Sequence, residues 1–318
     1  MMLDVNDSVS RFPRVRPGEI LPDDYVHALL RASAPEYAHL PLGGRYTDME
    51  EHFSVRLGDE MIVELPREHS SPSWDPVAMR HLRDAAPTWD FDVRLPVQVC
   101  EPALGYPHRF EIARWFDAST TLRSPLRTDA ARDLGRALAQ LHAGRVPADA
   151  PPHELFADGL AARLAAAASA LDAVTGLHSP EGARVLAERV RDVWGSADAA
   201  EPTLGHTWIT GTLDPRVVMS RHGAFAGLVY WRKLSVGDPV SDLGVAALLF
   251  EPAGTDLLLE GYGVDTKDLR ARMRAIAIVR ALHFALSDNP ALARLGWTRL
   301  GERHLLTDPA EPEDTLPG

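Results

Sequence analysis

WITGTLDPRVVMSRHGAFAGLVYWRKLSVGDPVSDL, residues Trp208 to Leu243, is the stretch on which the reading of this chain turns. It opens on a Gly-Thr-Leu-Asp-Pro loop and runs through a strand, a loop and a second strand. It closes on Gly237-Asp-Pro-Val-Ser-Asp-Leu243. Two polar loops held by apolar strands form a frame that can present side chains to a ligand, so the segments around it are read as its scaffold.

Upstream, Asp23 to Ala34 predicts a helix, with Tyr25, Val26, Leu29 and Leu30 at helical spacing. Phe53 to Leu57 and Met61 to Leu65 flank the turn Gly58-Asp59-Glu60 and predict a β-hairpin. Asp75 to Ala85 is helical, and Phe91 to Val99 and Phe110 to Phe116 are strands. Strands with one or two helices describe a small mixed lobe over residues 21–117, ending in a hinge near Asp117. From Asp129 the period becomes helical. Leu134, Ala137, Leu138 and Leu141 share one face of a helix that Gly144 would cap. Leu155 to Val174 and Pro180 to Trp194 follow as helices, and beyond the central stretch so do Leu243 to Leu249, Leu257 to Tyr262 and Thr266 to Leu286. This larger lobe is placed at 118–306. Residues 1–20 read as a flexible arm and 307–318 as a disordered acidic tail. The fold class is α+β, with a small mixed N-terminal lobe and a large, mainly helical C-terminal lobe.

The net charge of −12 disfavours nucleic acid and anionic membrane surfaces as partners. Cys100 is the single cysteine, which excludes an intramolecular disulfide and a multi-cysteine metal site. No apolar run is long enough to span a bilayer, and the first residues lack signal-peptide character, so a cytoplasmic protein is expected. Abundant alanine and arginine, with Lys233 and Lys267 the only lysines, suit a GC-rich bacterial genome. No nucleophile elbow, HExxH motif or Walker-type glycine loop is present.

Several anchors in consistent order resemble the aminoglycoside phosphotransferase superfamily, most closely its macrolide phosphotransferase branch. Leu57 to Arg67 is similar to the family's "rLGddlVvRlPR" hairpin. Leu95-Pro-Val-Gln-Val resembles its "lPVPvP" strand, and Ile112-Ala-Arg-Trp-Phe116 the strand entering its hinge. Leu134 to His142 resembles its "La..LaaLH" helix. Trp208 to Pro215 stands where the family has "W.HGDLHP", Gly227 to Trp231 where it has "GVIDW", and Gly237 to Leu243 where it has "GDPa.DLA". The resemblance covers roughly residues 25–295 and implies a two-lobed protein-kinase-like fold. It also implies a hinge at Arg114, Trp115 and Phe116 that would meet a nucleotide.

The departures fall on the letters that carry the family's chemistry. The catalytic aspartate of HGD is matched by Thr212 and the preceding histidine by Thr210. The magnesium-binding asparagine is matched by Val217 and the metal-binding aspartate of IDW by Tyr230. The phosphate-facing basic residue of the hairpin is matched by Glu64. Threonine is a poor base, valine offers a metal no donor, and a glutamate repels phosphate. Loss of the base alone costs about 10²–10⁴ in rate. The packing letters remain, which points to a degenerate phosphotransferase, a pseudokinase, serving as a binding or regulatory module. It would take a small molecule in the inter-lobe cleft, or a protein partner.

The alternative is an active enzyme that phosphorylates a small hydroxylated compound from ATP or GTP with Mg²⁺, using rewired acids such as Asp214 and Asp238. Asp214 is the candidate surrogate base or ligand, against its plainer role as an Asp-Pro turn residue. Asp238 and Asp242 belong to the retained motif and are read as structural, Asp242 as a helix cap. Arg67 could reach an anion or lie at the surface. His206 could be an acid/base group or a solvated loop residue. Trp115, Trp208 and Trp231 could line an apolar pocket or pack in the core.

Overall fold

The computed structural model describes residues 21–46, 52–67, 75–153, 159–211 and 213–308. The expected arm at 1–20, the polar loop from His69 to Trp74, Thr212 and the end of the tail lie outside them. In chain order the helices are α1 (Asp23–Ser33), α2 (Pro76–Ala85), α3 (Ala130–His142), α4 (Gly159–Ala166), α5 (Ala168–Thr175), α6 (Ala187–Asp198), α7 (Val240–Leu248), α8 (Gly254–Tyr262), α9 (Lys267–Ala285) and α10 (Pro290–Glu302). The strands are β1 (Leu42–Tyr46), β2 (His52–Leu57), β3 (Met61–Pro66), β4 (Asp92–Val93), β5 (Pro96–Cys100), β6 (Phe110–Arg114), β7 (Ser119–Thr120), β8 (Thr207–Ile209), β9 (Val218–Arg221), β10 (Ala224–Leu228) and β11 (Ser235–Gly237).

Two compact units result. The first comprises Met1–Asp75, Val93–Asp117 and Val229–Arg232; the second takes Pro76–Asp92, Ala118–Leu228 and Lys233–Gly318. The boundary differs from the sequence expectation at two places. Helix α2 and the residues after it group with the helical unit, because His81 stacks on Trp208, ring centroids 4.3 Å apart, and the Asp90 amide donates to Gln140. Val229–Arg232 groups with the sheet unit, through contacts described below.

The sheet unit is a five-stranded antiparallel sheet in the order β1-β2-β3-β6-β5. Helix α1 lays Tyr25, Val26, Leu29 and Leu30 into a core with Phe53, Val55, Leu57, Val63, Leu65 and Ile112. Each such burial contributes about 1.5–3 kcal/mol. Strand β3 is buried at every position from Ile62 to Pro66, so its one charged residue, Glu64, cannot turn to solvent.

In the helical unit, α3 and α8 cross so closely that glycine is required on both. A Cβ on Gly135 would lie 2.0 Å from the Leu258 carbonyl oxygen, and one on Gly261 2.0 Å from that of Arg132. Helix α9 runs through the core, burying Met273, Ile276, Ala277 and Leu282 among others, and Thr266 caps it by accepting from the Leu269 amide. Of the stretch expected as one helix from Leu155 to Val174, residues 155–158 lie outside the described residues and the remainder forms two helices, α4 and α5. Helix α6 begins at Ala187, not at Pro180. The residues before it pair with the chain's end instead: the Leu186 amide donates to Leu305 O at 2.8 Å and the Thr307 amide to Arg184 O at 2.8 Å. Thr307, expected in the tail, is thus held. Helix α10 was not anticipated. Among the described residues no helix is long and apolar enough to cross a membrane.

Candidate functional site

In the sheet unit the site residue is Glu64. The register places it opposite Ser54 on β2 and Glu111 on β6. Both carboxyls are buried, at 0% and 3% exposure. Two like-charged groups on facing strands in a dry core cannot both ionise without compensation. Two arginines supply it: Arg94 pairs with Glu64, while Arg232 lies 3.4 Å from Glu111 and donates Nη2 to Glu64 O at 3.3 Å. Burial pushes Glu111 up to about 8, with the Glu64 charge adding to it against Arg232. Burial acts upward on Glu64 too, but Arg94, His52, a hydrogen bond from Glu111 and Arg232 together hold it at about 2. A proton held on Glu111 and donated to Glu64 would satisfy carboxyls whose Oε2 atoms otherwise lack a hydrogen-bond partner.

Arg232 arrives directly behind Tyr230, and Tyr230 is itself fixed. Its backbone sits in the left-handed region at φ 66°, which costs a residue with a side chain about 1–2 kcal/mol. Its ring stacks on His52 at 4.6 Å between centroids, 7° from parallel. A buried phenol occupies the position the resemblance assigns to a metal-binding carboxylate. Nearby, Arg67 is half-buried with its guanidinium 5.6 Å from the Phe53 ring, rather than lying on the open surface. At the expected hinge, the Trp115 amide donates to Glu60 O at 2.7 Å and its ring lies 3.9 Å under the Arg56 guanidinium. Arg114 is exposed and Phe116 buried.

In the helical unit every acid of the quoted stretch is engaged. A carboxylate offers about four acceptor positions. On Asp214 all four are taken: Oδ1 accepts from the Arg216 amide at 2.9 Å and Nε at 2.8 Å, and Oδ2 from Arg216 Nη2 at 3.0 Å and Arg280 Nη2 at 3.2 Å. Asp242 accepts from the Thr210 amide at 2.8 Å and the Thr210 hydroxyl at 2.7 Å, and His142 Nε2 meets it at 3.3 Å. Asp238 pairs with Arg272 at 2.5 Å and accepts from the Val240 amide at 3.0 Å. The contact with the start of α7 expected of Asp242 is therefore made by Asp238, because Asp242 points back to Thr210. Val217 is buried, at 3% exposure.

Of the remaining expectations, His206 is exposed on its loop. Trp208 is wholly buried and donates Nε1 to Arg145 O at 3.0 Å. Trp231 is buried in the sheet unit, so the three tryptophans line no common pocket within either unit. Among the described residues no group of three or more His, Cys, Asp or Glu side chains could hold a metal ion. The residues present do not fit a magnesium-bound nucleotide in the family's manner. The Asp214 carboxylate is saturated, Asp238 and Asp242 are engaged within the protein, the matched ligand positions are Val217 and Tyr230, and the residue at the phosphate-facing position is a glutamate. Sequence reasoning missed Glu111, Arg94 and Arg232. The available signal was a pair of glutamates inside apolar strands, which demands cations from elsewhere in the chain.

A family model described as "Phosphotransferase enzyme family" matches residues 51–276. Among solved structures, aminoglycoside 2'-phosphotransferase-IIIa in its GDP complex superposes with a TM-score of 0.61 at 13% identity, over 89% of this chain and 98% of that one. Spectinomycin phosphotransferase with ADP and spectinomycin gives 0.58 at 10%, over 90% and 94%. Macrolide 2'-phosphotransferase from Brachybacterium faecium gives 0.52 at 17%, over 88% and 96%. No curated protein sequence matches the chain. The fold is protein-kinase-like, with a sheet-rich N-terminal region and a helical C-terminal region.

Proposed function

Given that the chain belongs to the phosphotransferase enzyme family, we propose that it keeps the family's fold as a binding or regulatory module and does not transfer phosphoryl groups. The observation that carries this reading is the buried set of Glu64, Glu111, Arg94 and Arg232. Where the resemblance calls for a cation facing phosphate, a carboxylate stands, and both nearby cations are spent on carboxylates. Glu64 is wholly buried, so the position offers a phosphate neither a cation nor an exposed donor.

The rewired-enzyme reading rests on Asp214 and Asp238, and the four donors on the Asp214 carboxylate and the Arg272 pair on Asp238 speak against it. A base must have a lone pair for the substrate's proton, and a metal ligand must have one for the metal. What the module binds is drawn from the chemistry of its relatives, small polyhydroxylated compounds such as kanamycin, spectinomycin or a macrolide. The net charge of −12 favours cationic members of that class.

Calorimetric titration with ATP and with GTP, each with and without Mg²⁺, tests the proposal. No saturable heat is expected from either nucleotide. Magnesium-dependent binding, accompanied by transfer of phosphate to any of the three compound classes, would overturn it.

A further inference from the structure

Within the helical unit, α6, α9 and the residues after α10 border an open hollow of about 280 Å³ lined in part by Arg189, Asp192, Arg274, Arg303 and His304. Three guanidinium groups face one carboxylate there, in a chain whose net charge is −12. Like charges gather at a cost unless something of opposite sign joins them.

The internal partners do not supply it. Arg303 is only 9% exposed and donates to two neutral carbonyls, Arg299 O and Ala247 O, both at 3.2 Å. Its nearest carboxylate, Glu302, is 4.0 Å away and is already held by Arg299 at 2.6 and 2.7 Å. Burial, then the charges of Arg299 and Arg274, press the Arg303 guanidinium down to about 10 against the pull of Glu302. Arg274 is exposed and makes no hydrogen bond or ion pair among the described residues. Arg189 is steered by its bond to His304 O at 3.1 Å.

The backbone adds a second sign. Helix α10 ends in a Schellman turn, with the Leu305 amide donating to Leu300 O at 3.1 Å and the His304 amide to Gly301 O at 2.9 Å. The left-handed position of that turn, where glycine is most at ease, holds His304 at φ 57°. Strain of about 1–2 kcal/mol is thus kept at a residue on the rim of the hollow.

We propose that this hollow is an anion site, taking a phosphate dianion either free or as the head of a small phosphomonoester. Guanidinium groups match the oxygens of phosphate with paired N–H donors, and several converging arginines suit a doubly charged oxyanion. The volume lies just under the roughly 300–1,000 Å³ of sites for drug-sized ligands, which favours a small group over a nucleotide. The inference is independent of the function proposed above.

Titration of the full-length chain with sodium phosphate, at an ionic strength held constant with sodium chloride, tests it. Saturable binding is expected, weakened about tenfold or more in Arg274→Ala. Because Arg274 is exposed and unpaired, that variant should keep the melting temperature of the parent without phosphate. Arg303→Gln should abolish binding but also risks the fold, so Arg274→Ala decides. An absence of saturable binding at millimolar phosphate, or an unchanged affinity in Arg274→Ala, overturns the proposal. Glycerol phosphate is run alongside. Tighter binding than inorganic phosphate assigns the site to phosphorylated compounds and the reverse order to free phosphate, and both orders uphold it.

Discussion

Replacing Glu111 by glutamine should remove a large part of the protein's pH dependence. The buried pair of Glu64 and Glu111 holds one proton, placed mainly on Glu111, whose carboxyl is raised from an ordinary 4.5 to about 8. The folded state binds that proton more tightly than the unfolded one. Between pH 4.5 and 8 unfolding therefore releases a proton, and stability falls as the pH rises. The contribution is complete below 4.5 and gone above 8. At about 1.4 kcal/mol per pH unit, the interval corresponds to roughly 5 kcal/mol. Glu64 runs the other way: held at about 2, it contributes fully above 4.5 and loses its share as the pH falls toward 2. Glutamine is neutral throughout and close to the protonated carboxyl in shape, so Glu111→Gln should match the parent within about 1 kcal/mol at pH 5 and exceed it by several at pH 8. Urea unfolding at pH 5, 6.5 and 8, read by tryptophan fluorescence, gives both slopes, and groups common to the two proteins cancel in the difference. Parallel slopes would refute the shared proton.

Three further outcomes follow from the helical unit. Gly135→Ala should lower stability by about 3 kcal/mol, since the new methyl meets a backbone carbonyl that cannot swing aside; an unchanged melting temperature would contradict the α3–α8 crossing. Asp214→Asn should destabilise by about 2 kcal/mol, by leaving Arg216 and Arg280 without their carboxylate, and a variant as stable as the parent would mean the carboxylate is not structural. Asn289→Ala should cost about 1 kcal/mol, because Asn289 accepts from the Ala291 and Leu292 amides at the start of α10; thermal melts would show no shift if the cap were idle.

What the sequence made legible follows its local signals. Helical spacing in α1 and α3, the Gly58-Asp59-Glu60 turn and the Gly237 to Leu243 loop each depend on neighbouring residues, and they located the two regions. The beginning of α6 was misplaced because Arg184 to Leu186 take their hydrogen bonds from Leu305 and Thr307, more than a hundred residues later. Asn289-Pro290, a cap followed by a first-turn proline, is the local signal for α10. At the site, the loss of Glu64 as a cation was plain from one position. Its new partners were not, since pairing with Glu111 depends on strand register and Arg232 follows more than a hundred residues later in the chain.

That last contact bears on how the chain is made. Synthesis delivers β1 to β6 early, yet the unit they form is finished only when Val229–Arg232 has been added. Until then Arg94 is, among the described residues, the arginine that pairs with Glu64, and Glu111 lacks Arg232. Domains usually fold in order as they leave the ribosome. Here the first unit waits on its own last segment, and nascent chains stopped before residue 229 should be cut readily by protease within β3 and β6, while chains extended past residue 232 resist.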